Sequence, residues 1–103
     1  MPRGTVYEFQ WDPAKAQSNT RKHGVTFDQA ATVFQDALAL TVYDEADSNK
    51  EERWFTLGFD ASGKLLAVAH TYEITGLTNA RIRLISARKA TRHERHNYEN
   101  EPR

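Results

Sequence analysis

The stretch KLLAVAHTY, residues 64 to 72, is apolar at both parities as far as His70. A strand with one wet face alternates, whereas a strand apolar at odd and even positions alike is flanked and covered by other elements. The segment is therefore expected near the centre of a sheet. Upstream, RWFTLGF (53 to 59) also reads as a strand, and Asp60 to Gly63 between them has the composition of a hairpin turn, so the two should pair antiparallel.

The remaining elements are read outward from this pair. TVYEFQW (5 to 11) alternates and is rich in β-branched and aromatic residues. Asp12 supplies an N-cap and Pro13 a first helical position for a helix through about Lys22, which Gly24 stops. Thr26 can cap a second helix, FDQAATVF, with Phe27, Ala30, Ala31 and Phe34 on one face. LALTVY (38 to 43) reads as a strand and DEADSNKEE as a polar loop. A turn through Ile74 to Asn79 leads to a strand ARIRLISA (80 to 87), and Thr91 with Glu94 matches a capping box opening a last helix.

The order β-α-α-β-β-β-β-α implies an α+β fold, in which a mostly antiparallel sheet is packed on one face by the helices, the N-terminal pair and a C-terminal one, and the other face is left to another cover or to water. At 103 residues, positions 1 to 103 are expected to form one domain without internal repeat.

Composition narrows the function classes. Hydrophobic residues at 39% and charged residues at 27% fit a folded soluble chain and not a disordered one. The N-terminal MPRGTVYEFQW has no continuous apolar segment and no run approaches a membrane span, so a cytoplasmic protein without membrane contact is expected. With no cysteine there is no disulfide or thiolate metal site; His93 and His96 are three apart, but nothing completes a ligand set, and no metal site is expected. Walker, Rossmann and nucleophile-elbow motifs are absent.

The formal net charge of zero conceals an asymmetry. Residues 1 to 60 hold six Lys/Arg and ten Asp/Glu, whereas residues 61 to 103 hold eight and four. In ARIRLISAR, strict alternation would point Ile82, Leu84, Ser86 and Arg88 one way and Arg81, Arg83, Ile85 and Ala87 the other. Two arginines on one strand face form a fork suited to a phosphodiester, or are only the solvated side of that strand.

The terminal RHERHNYEN has no apolar stripe to dock it, and Arg92 would sit at the helix start, where the dipole disfavours a cation. Backbone N–H groups there, with Arg88, Lys89 and Arg92, make a phosphate seat; a solvated terminal helix is the alternative. His23 suits a helix C-terminus. His70, interrupting an apolar run, is either a satisfied buried histidine or an acid/base.

Taken together, FQWDPAKAQSNTRKHGVTFDQAATVF, EERWFTLG, HT and RIRLISARKATRHERHNYE resemble, in order and across about residues 7 to 99, the BrnT family of type II toxin-antitoxin toxins. The resemblance implies a RelE-like ribonuclease that inhibits translation, needs no metal or cofactor, and is neutralised by a BrnA-like antitoxin. That antitoxin carries a ribbon-helix-helix domain, so the expected 2:2 heterotetramer meets operator DNA through it. The family positions fall on Lys22, His23, Arg53, His70, Arg83, Arg88, Glu94 and Tyr98.

A metal-free ribonuclease needs a base for the 2′-hydroxyl proton, cations for the phosphorane and an acid for the leaving oxygen. The expectation is that His70, or Lys22 with His23, moves protons and that Arg53, Arg83 and Arg88 clamp phosphate. Arg81, Lys89 and Arg92 would bind RNA, with Glu94 and Tyr98 in support. The competing reading is a non-enzymatic module that only binds an antitoxin and co-represses an operon.

Overall fold

The computed structural model describes residues 4 to 46 and 51 to 102. Residues 47 to 50 of the expected polar loop lie outside them. Strands β1 (Val6–Gln10), β2 (Leu40–Tyr43), β3 (Trp54–Phe59), β4 (Leu65–His70), β5 (Glu73–Ile74) and β6 (Asn79–Lys89) join helices α1 (Pro13–His23), α2 (Phe27–Thr32) and α3 (Arg92–Asn100). A 3-10 turn, Val33–Gln35, extends α2. The order matches the α+β expectation with one addition, the two-residue β5, whose pairing with Arg81 and Ala80 narrows the expected turn before β6.

The sheet runs β1-β6-β4-β3-β2, with β5 also on β6. Every pairing is antiparallel except β1 with β6. β4 is central and all six of its residues are buried, as its two-sided apolarity requires. Its hairpin to β3 is closed by Asp60, whose Oδ1 accepts from Ser62 N, Ser62 Oγ and Lys64 N, while Gly63 takes φ 87°.

Local chemistry sets the helices. Asp12 Oδ1 accepts from Ala14 N at 2.9 Å, and α1 ends at Gly24, in the left-handed region at φ 69°. Thr26 and Gln29 exchange capping-box bonds at the start of α2. The α2 stripe buries Phe27 and Ala30, which join Val25, Val33, Phe34, Leu66, Val68, Ile82, Leu84 and Ala87 in one core. Tyr7 and Phe9 extend it, 5.8 and 5.4 Å from the Phe34 ring.

Two expectations fail here for identifiable reasons. A bulge breaks the alternation of β6: Ala69 pairs with Ser86 but His70 with Leu84, leaving Ile85 as the extra residue. Parity flips there, so Ala87 joins Ile82 and Leu84 in the core, and Arg88 shares the opposite face with Arg81 and Arg83. The helices also divide between the two faces. Gly58 backs onto Val33 and so faces the α1/α2 layer, whereas its neighbour Phe59 points the other way, where Tyr98 of α3 packs on it with ring centroids 5.3 Å apart.

Polar clasps hold α3 in place of the missing apolar stripe. Tyr98 donates its hydroxyl to Asp36 Oδ2 at 2.6 Å, and Arg88 forms a bidentate pair with Glu94 at 2.7 and 3.0 Å. Glu94 also closes the Thr91 capping box.

Candidate active site

The open sheet face opposite α1 and α2 gathers three arginines from two places. Arg81 and Arg83 project there from β6 at alternate positions, and Arg53 lies at the approach to β3. One carboxylate ties two of them together: Glu51 Oε1 lies 2.5 Å from Arg83 Nη2 and 3.6 Å from Arg53 Nη2. Arg81 is held separately by Glu73 at 2.7 Å and Glu8 at 3.5 Å. The Arg83 backbone N–H meets Thr71 Oγ1 at 3.3 Å, fixing the root of that side chain.

Arg81, Arg83, Glu51 and Glu73 line a hollow of about 370 Å³ with Gln10, Thr71 and Tyr72, and Arg53 is joined to it through Glu51. Arg83 and Gln10 also border a second, more open hollow with Phe9, Trp11 and Asp12. Arg83 thus stands on the ridge between two concavities, with its side chain 37% exposed. The Arg83 hydrogen bond is the first cause holding the Glu51 carboxyl below its ordinary range, with the charges of Arg83 and Arg53 adding to it. An anion of phosphate type suits the same two guanidiniums.

Arg88 is not part of this group. It follows Arg83 by five strand positions, about 16 Å at the usual rise of about 3.3 Å per residue, and its guanidinium is turned to α3. One phosphate does not span both while that pair holds. Glu94 is accordingly held at a pKa of about 2, first by the Arg88 hydrogen bonds and then by the Thr91 backbone. Its folded pKa lies below the ordinary 4.5, so the contribution is full above that value and lost as pH falls towards 2. After discounting for solvent at this part-exposed pair, about 1 to 2 kcal/mol is expected. Glu94→Gln should remove that acid-dependent portion in urea titrations between pH 2 and 5; an unchanged pH slope would count against the pair.

His70 lies on the other face of the sheet, with 0% exposure and its ring 4.9 Å from Phe34. Its Nδ1 lies 2.8 Å from the Thr71 carbonyl, which only accepts, so Nδ1 carries the proton. Nε2 must then accept from Thr56 Oγ1 at 2.6 Å, and Thr56 in turn accepts from Thr41 Oγ1 at 2.9 Å. One hydroxyl, itself backed by a second on the next strand, and one backbone carbonyl satisfy the buried imidazole. A side chain so enclosed touches no RNA in this conformation, and the satisfied-core alternative describes it.

Burial lowers the His70 pKa to about 4 from 6.5, outweighing the Thr71 bond that raises it. The unfolded ring gains its proton first as pH falls, so stability should drop by about 3 kcal/mol between pH 6.5 and 4. Nitrogen-15 NMR of the four histidines should show one ring neutral throughout pH 5 to 8; four rings titrating near 6.5 would refute the buried assignment.

Lys22 and His23 end α1, the helix that packs across the sheet from the arginine hollow. Lys89 ends β6 and Arg92 begins α3; both are exposed, and no ion pair engages either among the described residues. The described residues contain no group of three His, Cys, Asp or Glu side chains placed to hold a metal. No described helix is long and apolar enough to cross a membrane.

Two important residues escaped the sequence reading. Glu51 looked like one carboxylate of an acidic loop, with no signal of its pairing partners. Asn19 is 6% exposed and donates to Val25 O and Ala87 O, both at 2.9 Å, while accepting from Ala87 N at 3.0 Å. β1 covers β6 only as far as Arg83, and further along that strand Asn19 satisfies the backbone of Ala87.

Comparison with known proteins agrees with this architecture. A crystal structure of the Brucella abortus ribonuclease toxin BrnT superimposes with a TM-score of 0.59 at 24% identity, covering 85% of this chain and 100% of that one. That likeness is one of fold. No curated protein sequence matches. A family model described as the ribonuclease toxin BrnT of type II toxin-antitoxin systems matches residues 11–94. The chain belongs to the BrnT ribonuclease toxin family.

Proposed function

We propose that this single-domain chain is an endoribonuclease toxin that cleaves RNA without a metal, inhibits translation and is neutralised by a BrnA-like ribbon-helix-helix antitoxin. The observation that carries this reading is the placement of Arg81 and Arg83 on one open hollow of the sheet, with Arg53 joined to Arg83 through Glu51. Arginine forks stabilise a phosphodiester as negative charge builds on its oxygens, and RNA brings its own nucleophile. Assembly as a 2:2 heterotetramer that meets operator DNA through the antitoxin belongs to the same reading, as does a cytoplasmic location.

The catalytic set is correspondingly revised. Arg83 and Arg53 clamp the scissile phosphate and Arg81 steers the strand, while Lys89 and Arg92 contact RNA further along its backbone. Arg88, Glu94 and Tyr98 support the site by fixing α3. His70 stabilises the core, and Lys22 and His23 contribute charge at the far end of α1.

A second reading draws on the pairing of Arg53, Arg81, Arg83 and Arg88 with carboxylates. A self-neutralised face suits a module that only binds an antitoxin. Incubating purified chain with RNA in EDTA separates the two: cleavage at micromolar protein and growth arrest on expression support the enzyme. Intact RNA without arrest would leave the binding module.

A further inference from the structure

Cleavage at Arg53 and Arg83 requires a proton acceptor, and arginine remains protonated and cannot serve. His70 is enclosed on the opposite face. Both Glu94 oxygens are taken by Arg88, and one also receives the Thr91 cap bond. Glu8 and Glu73 flank Arg81 alone.

Glu51 differs from all of these. It joins the two arginines that form the clamp, its side chain is 41% exposed, and it lines the hollow a phosphodiester would enter. Both ion pairs and its hydrogen bond use Oε1; Oε2 makes no hydrogen bond among the described residues. A carboxylate anchored by one oxygen and open at the other is positioned to take a proton beside the phosphate that its anchors bind.

We propose that Glu51 is the general base of RNA cleavage at this site, a role that rests on the ribonuclease function proposed above. The 2′-hydroxyl proton passes to Glu51 Oε2 as the 2′-oxygen forms its bond to phosphorus. The bond from phosphorus to the 5′-oxygen breaks with its electron pair, and that oxygen takes a proton from water. Glu51 returns its proton to solvent, and the products are a 2′,3′-cyclic phosphate and a 5′-hydroxyl.

The surroundings tune this base in a direction that can be measured. In the free protein Arg83 and Arg53 keep the carboxyl ionised well into the acid range, with Arg81, Glu52 and Glu73 lining the same hollow. When phosphate oxygens draw the guanidiniums away, proton affinity returns towards the ordinary range, so the base strengthens as substrate binds. The acid limb of kcat/KM, which reports the free enzyme, should therefore lie below pH 4.5.

The test uses full-length wild type, Glu51→Gln and Glu51→Asp with a labelled single-stranded RNA in EDTA. Glu51→Gln should cleave at least about 100-fold more slowly, bind RNA as tightly or more tightly, and lose the acid limb. Glu51→Asp should be slower but keep that limb. A Glu51→Gln rate within about threefold of wild type, or faster, would overturn the base and leave Glu51 as a mere occupant of the phosphate seat. Absence of cleavage by wild type itself would instead overturn the ribonuclease function and the base with it.

Discussion

Arg83→Ala is expected to slow RNA cleavage by at least about 100-fold, because it removes a donor aimed at charge that develops in the transition state. Its fold should survive. The Arg83 side chain is 37% exposed and its partner Glu51 is 41% exposed, and an ion pair of that kind contributes about 0 to 1 kcal/mol to stability. Arg88→Ala should show the reverse balance, since Arg88 is bound bidentately to Glu94 and helps to anchor α3. Stopped-time cleavage assays and melting curves on both variants check this division. Wild-type rates in Arg83→Ala, or a greater catalytic loss with full stability in Arg88→Ala, would move the clamp to the other end of β6.

Asn19→Leu should be among the most destabilising substitutions. Its amide makes three hydrogen bonds, two to Ala87 and one to Val25. Leucine has similar bulk but leaves the Ala87 N–H and carbonyl in need of partners, and the Val25 carbonyl with only the Thr20 hydroxyl at 3.4 Å. Each buried orphan costs about 1 to 3 kcal/mol, so a loss of about 3 kcal/mol or more is expected. For a domain of this size that corresponds to a melting temperature lower by more than about 10 °C. Urea unfolding should agree, and a change below about 1 kcal/mol would imply that the Ala87 backbone finds other partners.

The difference between what could and could not be read from sequence follows from the range of the interactions. Asp12, Thr26, Gly24, Gly63 and the Thr91–Glu94 box act over two to four residues, so the helix ends and the β3–β4 hairpin were legible. β4 revealed its central position because burial on two faces leaves no polar alternation. The β6 bulge was not legible: a single extra residue reverses every face after it, and Ile85 carries no glycine or proline to mark it.

The same limit governs the site. Arg81 and Arg83 could be placed together from their spacing, because two residues apart on a strand means one face. Their connection to Arg53 depends on Glu51, which is 32 residues from Arg83. His70 interrupted an apolar run and drew attention as an acid/base, but its hydroxyl partners, Thr56 and through it Thr41, lie on two other strands. An isolated polar residue in a buried strand marks a polar network as readily as a catalytic group.

The chemistry of the RNA ends tests the central claim most directly. Wild-type protein in EDTA should leave 2′,3′-cyclic phosphate and 5′-hydroxyl termini, as follows when the 2′-oxygen attacks at the Arg53–Arg83 clamp. Cleavage that leaves 3′-hydroxyl and 5′-phosphate ends, or that stops when EDTA is added, would refute it.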